Sequence, residues 1–289
     1  MAINRKLPNL PSLLLEGPVR AALLEDLGHA GDITSQAVIP EGAVARVRLA
    51  ARQKGVVAGL DVARTAFRLV DASLKIAVVK SDGERLEPGD DIALIEGNAG
   101  SILTAERVAL NFMGHLCGVA SATRDLVDAV EGTKAQICCT RKTTPGLRAL
   151  EKHAVLAGGG SNHRFGLDDA FLIKDNHIAA AGGITPALEA AFAAAGHMTQ
   201  VEIEVDTLDQ FEEALRAGAK VVLLDNMDHK TLSRAVALNS GQAALEASGT
   251  ITLETVRGVA QTGVDYISSG WITHSAPTLD IGLDFESLL

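Results

Sequence analysis

The period of the apolar positions changes along the chain, and each change predicts a different kind of element. Residues 44 to 58 (VARVRLAARQKGVVA) and 74 to 96 (LKIAVVKSDGERLEPGDDIALIE) mix alternating and β-branched runs with Gly and Pro turn signals, which predicts a small sheet made of hairpins. From Ser101 to about Val130 there is no proline, and Leu103, Leu110, Met113 and Leu116 recur at near-helical spacing. A long connecting helix is expected there, with a break near Gly114 or Gly118. Beyond Thr133 short apolar strands alternate with helical stretches, as in parallel β/α units. The expected strands are 135 to 140, 170 to 174, 200 to 205, 221 to 225, 242 to 248 and 264 to 269, the last four units repeating about every 21 residues. Between them, segments such as LDQFEEALRA (208 to 217) read as helices, with Gly218 as the stop.

Such repetition fits either a closed barrel or an open doubly wound sheet. The polar residues at the strand ends favour a barrel, where all such ends meet at one face and catalytic residues come from several strands. In order they are Thr140-Arg141-Lys142, Lys174, Glu202 and Glu204, Asp225, Ser248-Gly249 and Ser268-Ser269-Gly270. A single polar end could simply mark where a strand meets water; six in succession read as the wall of a pocket.

Composition narrows the partners. The 289 residues are 47% hydrophobic and 21% charged, globular proportions for roughly two domains, and the net charge of -10 disfavours nucleic acid. Phe 7, Trp 1 and Tyr 1 are too few for a base-stacking platform or membrane belts. Cys117, Cys138 and Cys139 form no C-x-x-C pair, so neither a zinc cluster nor a disulfide framework is readable and a reducing compartment fits best. The N-terminal apolar stretch is short and interrupted by Pro8 and Pro11, unlike a signal peptide, and Gly182, Gly183 and Pro186 break the Ala-rich stretch near 179 to 195. A cytoplasmic protein with no membrane partner is expected.

Candidate chemistry concentrates between Arg141 and His177. Arg141, Lys142, Arg148, Lys152, Arg164 and Lys174 face only Glu151, Asp168, Asp169 and Asp175, and His153, His163 and His177 lie among them. A cationic region in an acidic protein suggests an anionic substrate. Arg148 and Lys152 fit a solvated helix surface; Arg141, Lys142 and Lys174 terminate apolar strands and fit it less well. Gly158-Gly159-Gly160 reads as a flexible loop bringing His163 and Arg164 over a ligand. There is no G-x-x-x-x-G-K-[ST] element and no G-x-G-x-x-G after a strand; Ser248-Gly249 and Ser269-Gly270, near helix N-termini, match the phosphate site that barrels build from their last loops, with two ordinary Gly turns as the alternative. Glu202 and Glu204 lie two apart in VEIEV and share one strand face. With Asp225 they could bind ribose hydroxyls, share a metal ion or stabilise a positive charge; core ion pairs with lysines are the alternative.

The run TRKTTPGLRALEKHAVLAGGGSNHRFGLDDAFLIKDNHI (140 to 178) closely resembles the quinolinate phosphoribosyltransferase family. The resemblance extends to EDLGHAGDITSQAVIP near the N-terminus, ERVALNFMGHLCGVA (106 to 120), EASGTITLETV (246 to 256) and VDYISSGWITHSAPTLDIGLDF (264 to 285). It implies an α/β protein of the type II phosphoribosyltransferase kind. An N-terminal α/β sandwich (1 to 117, with 276 to 289 returning to it) would precede an incomplete β/α barrel (118 to 275).

The implied reaction joins quinolinate to the ribose of phosphoribosyl pyrophosphate with Mg2+ carried by that substrate, giving nicotinate mononucleotide, pyrophosphate and carbon dioxide for NAD biosynthesis. No dedicated metal cage is implied. Carried onto this sequence, Thr140, Arg141, His163, Arg164 and Lys174 would hold the dicarboxylate, with Arg107 reaching in from a neighbouring subunit of a homodimer or larger homo-oligomer. Lys142, Glu204 and Asp225 would be catalytic, the acids binding the ribose hydroxyls, and Ser248, Gly249, Thr250, Ser269 and Gly270 would hold the 5-phosphate. The rivals are a paralogue associated with molybdenum transport operons, a nicotinate phosphoribosyltransferase acting on a monocarboxylate, and a silent binding or scaffold protein. Two carboxylates need more cationic donors than one, and Lys142, Glu204 and Asp225, whose loss would mark a silent protein, are present.

Overall fold

The computed structural model describes residues 7–288. In chain order it opens with α1 (Ser12–Leu27), α2 (Ile33–Val38), β1 (Val44–Ala51), β2 (Gly55–Val56), α3 (Leu60–Val70), β3 (Lys75–Val78), β4 (Arg85–Leu86), β5 (Asp91–Asn98) and α4 (Ala99–Ala129). Next come β6 (Gln136–Cys138), α5 (Arg148–Ala157), β7 (Phe171–Ile173), α6 (Asp175–Ala181), α7 (Ile184–Ala194), β8 (Val201–Val205), α8 (Leu208–Arg216) and β9 (Val221–Asp225). The chain ends with α9 (His229–Asn239), β10 (Ala244–Ser248), α10 (Leu253–Gln261), β11 (Tyr266–Ser268), α11 (Trp271–His274) and β12 (Ile281–Leu288). These elements form two compact units. The first runs to Arg124 and adds Thr144–Gly159 and the chain from Ser275; the second holds Asp125–Thr143 and Gly160–His274.

The first unit is built on an antiparallel sheet in the order β12-β1-β5-β3. Along β1, Val47 and Leu49 point into the core, while Arg46 and Arg48 point out and pair with Glu96 at 2.7 Å and Asp91 at 3.0 Å. The expected set of hairpins is only partly what forms. β2 and β4 make a separate two-stranded ribbon, and the second partner of β1 comes from the far end of the chain, which local periodicity cannot reveal. α1 and α3 carry no mark in the sequence reading either. α3 buries Leu60, Val62, Ala63, Ala66 and Phe67 on one face, and Asp82 accepts the N–H groups of Gly59 and Leu60 at its start (3.1 and 3.2 Å).

The connecting helix α4 is unbroken through Gly114 and Gly118. These glycines admit a neighbouring backbone: a Cβ at Gly118 would lie 2.1 Å from the Pro277 carbonyl oxygen, and Leu279 N–H donates to the Gly114 carbonyl at 2.9 Å. Residues 144–159 group with the first unit. The reason lies in α5, which is buried nearly all round. Its Glu151 is fully buried and accepts from His115 Nε2 at 2.8 Å and from Thr144 N–H at 3.1 Å, while His153 Nε2 bonds Asp82 at 3.0 Å. Lys152 is also buried, at 2% exposure, which corrects its expected place on a solvated surface.

The second unit is a six-stranded, wholly parallel sheet in the order β6-β11-β10-β9-β8-β7, an incomplete β/α barrel. Ile137, Ile203, Val222, Leu224, Leu245 and Ile267 form its buried strand core. The intervening helices start where the sequence supplies caps. At α8, Thr207 accepts Gln210 N–H at 3.3 Å and the Gln210 side chain accepts the N–H groups of Asp206 and Thr207, after which Phe211 and Ala214 turn inward. β6 is shorter than expected. Past Cys138 the chain leaves the sheet, and Cys139 N–H donates to Ser161 carbonyl at 3.1 Å.

Candidate active site

Parallel register places the expected residues side by side at the C-terminal ends of the barrel strands. Ile173 pairs with Ile203, so Lys174 and Glu204 follow at one level; Asp225 pairs directly with Ser248; Ser268 pairs with Cys138, bringing Ser269-Gly270 beside Cys139-Thr140. The side chains complete the contacts. Lys174 Nζ donates to Glu204, so an expected anion-binding lysine and an expected ribose-binding acid form one ion pair. The two carboxylates of VEIEV therefore have different fates: Glu204 is partly open and held by Lys174, and Glu202 is 6% exposed and bonded to His163.

The cations gather as a group. Arg164 is held by a hydrogen bond from its guanidinium to the Ala170 carbonyl at 3.0 Å. Burial, and then the charge of nearby Arg141, lower its pKa. Two guanidiniums close enough to feel one another concentrate positive charge at this end of the barrel. His163 accepts the Arg164 N–H on Nδ1 at 2.8 Å and directs Nε2 to Glu202 at 2.8 Å, so protein groups meet both ring nitrogens. His177 acts alike one turn on, its Nδ1 accepting Lys174 N–H at 2.9 Å at the start of α6.

Lys142 is exposed, but its backbone is fixed. Its N–H donates to Thr140 Oγ1 at 3.0 Å, and its carbonyl accepts the hydroxyl of buried Thr273 at 2.7 Å. Gly270 adjoins them: a Cβ there would lie 2.9 Å from Lys142 Cδ and 3.2 Å from Thr140 Oγ1. At the neighbouring strand end, Gly249 has φ +130, and a Cβ would meet Asn226 Oδ1 at 2.6 Å. Thr250 is exposed just beyond, and Thr252 caps α10 by accepting Thr255 N–H at 3.3 Å. Ser248, Thr250 and Thr255 line a cavity of about 600 Å³ with Asn226, Asp228 and His229.

Arg107 lies on α4 in the first unit with its side chain exposed. Gly158-Gly159-Gly160 is a packed turn where a flexible loop was expected. A Cβ at Gly158 would fall 2.4 Å from the Ala120 carbonyl, and Ser161 is tied by its N–H to the Ile137 carbonyl at 2.8 Å. Three residues escaped the sequence reading: Thr273 beneath Lys142, Asn226 beside Asp225, and Glu246 beneath His163. Asn226 follows the last polar residue of its strand, a signal that could have found it. The other two act through register between distant strands and leave no local mark.

A barrel that gathers cations, acids and Gly-Ser strand ends at one face has the make-up of a phosphoribosyltransferase of the β/α-barrel kind, and comparison gives its family. The quinolinate phosphoribosyl transferase C-terminal domain matches residues 119–284 and the N-terminal domain of the same family matches residues 32–117. The chain is 45% identical over 261 residues to a probable nicotinate-nucleotide pyrophosphorylase [carboxylating] of Bacillus subtilis, covering 90% of each. It is 45% identical over 271 residues to the nicotinate-nucleotide pyrophosphorylase [carboxylating] of Mycobacterium leprae, covering 92% of this chain and 95% of that one. The solved nicotinate-nucleotide pyrophosphorylase of Francisella tularensis superposes with a TM-score of 0.93 at 37% identity, over 98% of this chain and 100% of that one. The chain belongs to the quinolinate phosphoribosyltransferase family.

Proposed function

We propose that the protein transfers the phosphoribosyl group of phosphoribosyl pyrophosphate to quinolinate with decarboxylation, releasing pyrophosphate and carbon dioxide and giving nicotinate mononucleotide for NAD biosynthesis. The observation that carries this reading is the register of strand ends that sets the cationic group, the Lys174–Glu204 pair and the Asp225–Ser248 pair along one edge of a barrel of this family.

Each group has a chemical reason to be there. Arg141, Arg164 and Lys174 supply charge and donors for the two carboxylates of quinolinate, with Thr140 and His163 at the same end. Glu204 and Asp225 take the ribose hydroxyls and stabilise the positive charge that grows on the ring as pyrophosphate leaves; Lys142 stabilises the departing anion. Backbone and hydroxyl groups of Ser248, Gly249, Thr250, Ser269 and Gly270 hold the 5-phosphate. Mg2+ enters with the pyrophosphate substrate. The quinolinate nitrogen attacks the anomeric carbon; the adjacent carboxylate then departs as carbon dioxide, the electron pair it leaves on the ring carbon is stabilised by the neighbouring ring cation, and that carbon takes a proton from solvent. Positioning is then the main demand on the protein.

Arg107 completes the site from a second copy of the chain, which makes the working unit a homodimer or a larger homo-oligomer. Among the described residues no helix is long and apolar enough to cross a membrane. A reducing, cytoplasmic setting is part of the same proposal, suited to Cys117, Cys138 and Cys139, which are buried and not joined in disulfides. The test is product formation from quinolinate, phosphoribosyl pyrophosphate and Mg2+, following nucleotide and carbon dioxide together with nicotinate as a parallel substrate. Equal amounts of both products from quinolinate are expected. Turnover of nicotinate alone would overturn the reading.

A further inference from the structure

Beneath the cationic end of the site, the barrel interior holds two carboxylates that the reaction does not use as donors or acceptors to substrate. Glu202 and Glu246 are 6% and 5% exposed. They stand on β8 and β10, which with β6 are alternate strands of the sheet, the arrangement by which barrels fill one interior layer. Cys138 of β6 completes the layer with Sγ 3.6 Å from Glu246 Oε2. His163 covers it: Nε2 is 2.8 Å from Glu202 Oε2 and 3.8 Å from Glu246 Oε1, and the ligating atoms of all three residues lie within 4.8 Å of one another. One oxygen of each carboxylate, Oε1, has no hydrogen-bond partner.

Two negative carboxylates this deep and this close would be poorly compensated, so one must hold a proton or share a cation. The hydrogen bonds of His163 decide between these. Because Nδ1 accepts the Arg164 N–H, the ring carries one proton, on Nε2, and it points at Glu202. Metal ligation through Nε2 would need that proton on Nδ1, where the Arg164 N–H already lies. We propose that Glu202 and Glu246 are positioning residues for phosphoribosyl transfer, holding one proton between them and so keeping His163 seated on Glu202 with its Nδ1 anchoring Arg164. The proposal rests on the reading of Arg164 as a quinolinate-binding group.

Burial, followed by the charge of Glu202, pushes Glu246 up to about 7, against the smaller opposing effects of His163, Ser268 and Cys138. The groups facing it are thus Glu202 from β8, Cys138 from β6, Ser268 and the register partner Tyr266 from β11, and His163; its register partner on β9 is buried Leu223. Once Glu246 gives up its proton to solvent, two negative carboxylates face the single Nε2–H of His163, 2.8 and 3.8 Å away, and the ring turns from Glu202 toward Glu246, carrying Nδ1 off the Arg164 N–H. The Arg164 N–H loses its acceptor and Arg164 is displaced.

The experiment measures KM for quinolinate and for phosphoribosyl pyrophosphate against pH in the full-length protein and in Glu246→Gln, which imitates the protonated acid. In the unaltered protein KM for quinolinate should rise about tenfold as pH passes upward through the Glu246 transition, while Glu246→Gln keeps the low value throughout; KM for phosphoribosyl pyrophosphate should change in neither. Equal pH dependence in both proteins overturns the proposal. Infrared spectra of the unaltered protein give a second test that needs neither variant nor turnover. A buried carboxylic acid carbonyl band should be present below the transition and vanish above it, and its absence overturns the proposal even if the variant does not fold. If quinolinate is not turned over but the band titrates, the functional reading fails and the shared proton stands.

Discussion

The side-chain amide of Asn226 donates to Asp225 Oδ2 at 2.6 Å, and the Asn226 backbone N–H donates to the Ser248 carbonyl at 3.0 Å. One residue thereby ties the end of β9, which carries an expected ribose-binding acid, to the end of β10, which opens the expected phosphate loop. It does so in a left-handed backbone conformation, φ 51, that asparagine tolerates better than most residues. One oxygen of Asp225 is thus committed and the other is oriented.

Replacing Asn226 should therefore act on the sugar phosphate and spare quinolinate. Asn226→Gly accepts the positive φ and removes the amide, so it should fold while raising KM for phosphoribosyl pyrophosphate by roughly 10- to 100-fold, the loss expected for a hydrogen bond to a charged group of about 1.5 to 3 kcal/mol. Steady-state kinetics with each substrate varied in turn checks this. A parallel rise in both KM values would show that Asn226 supports the site as a whole.

Gly118→Ala tests the first unit apart from the chemistry. The added methyl would face the Pro277 carbonyl oxygen at 2.1 Å, a backbone atom that cannot swing aside as a side-chain tip could. The chain before β12 would have to shift, at a cost of about 1 to 3 kcal/mol. Urea denaturation should show the midpoint fall with little change in slope. An unchanged midpoint would mean that residues 277 to 279 are loosely held.

Much of the second unit was legible because local sequence and tertiary role coincide there. The apolar strands end in polar residues, and the helices carry caps such as Thr207 with Gln210, so all six expected strands overlap β6 to β11. Other features were hidden for physical reasons. β12 joins β1 across nearly the whole chain, and Gly114 and Gly118 looked like helix breaks because their use, admitting residues 277 to 279, depends on a distant segment. At the site, the strand face shared by Glu202 and Glu204 was readable from VEIEV. Their division between His163 and Lys174 was not, because it depends on depth within the barrel.

The shared-site proposal makes a quantitative prediction. Arg107→Ala and Lys142→Ala should each fold and each lose nearly all activity. If Arg107 serves the neighbouring subunit, a mixed dimer holds one site with both defects and one with neither. After unfolding and refolding an equal mixture, half of the dimers are mixed, so activity should recover to about a quarter of the unaltered value. Recovery is read directly in the product assay. None at all, with mixed dimers demonstrated by differently tagged copies, would place Arg107 outside the neighbouring site.

Glu246 also predicts how stability depends on pH, independently of catalysis. Its carboxyl is pushed from 4.5 up to about 7 in the native protein, chiefly by burial. Between those values the native protein holds a proton that the unfolded chain has released, so stability must fall as pH rises through the interval, by an amount on the order of 3 kcal/mol; above it the slope vanishes. Asp32, Asp71, Asp90, Asp228 and Asp284 are shifted the other way, each chiefly by hydrogen bonds to its carboxylate, and their contribution is lost as pH falls into the acid range. The two trends oppose each other at different pH, and the difference between the unaltered protein and Glu246→Gln isolates the first. Thermal melts should show similar Tm near about pH 5 and a higher Tm for Glu246→Gln near about pH 8, the gap opening between them. A constant gap would mean that Glu246 does not titrate in this range and that the variant differs only in packing.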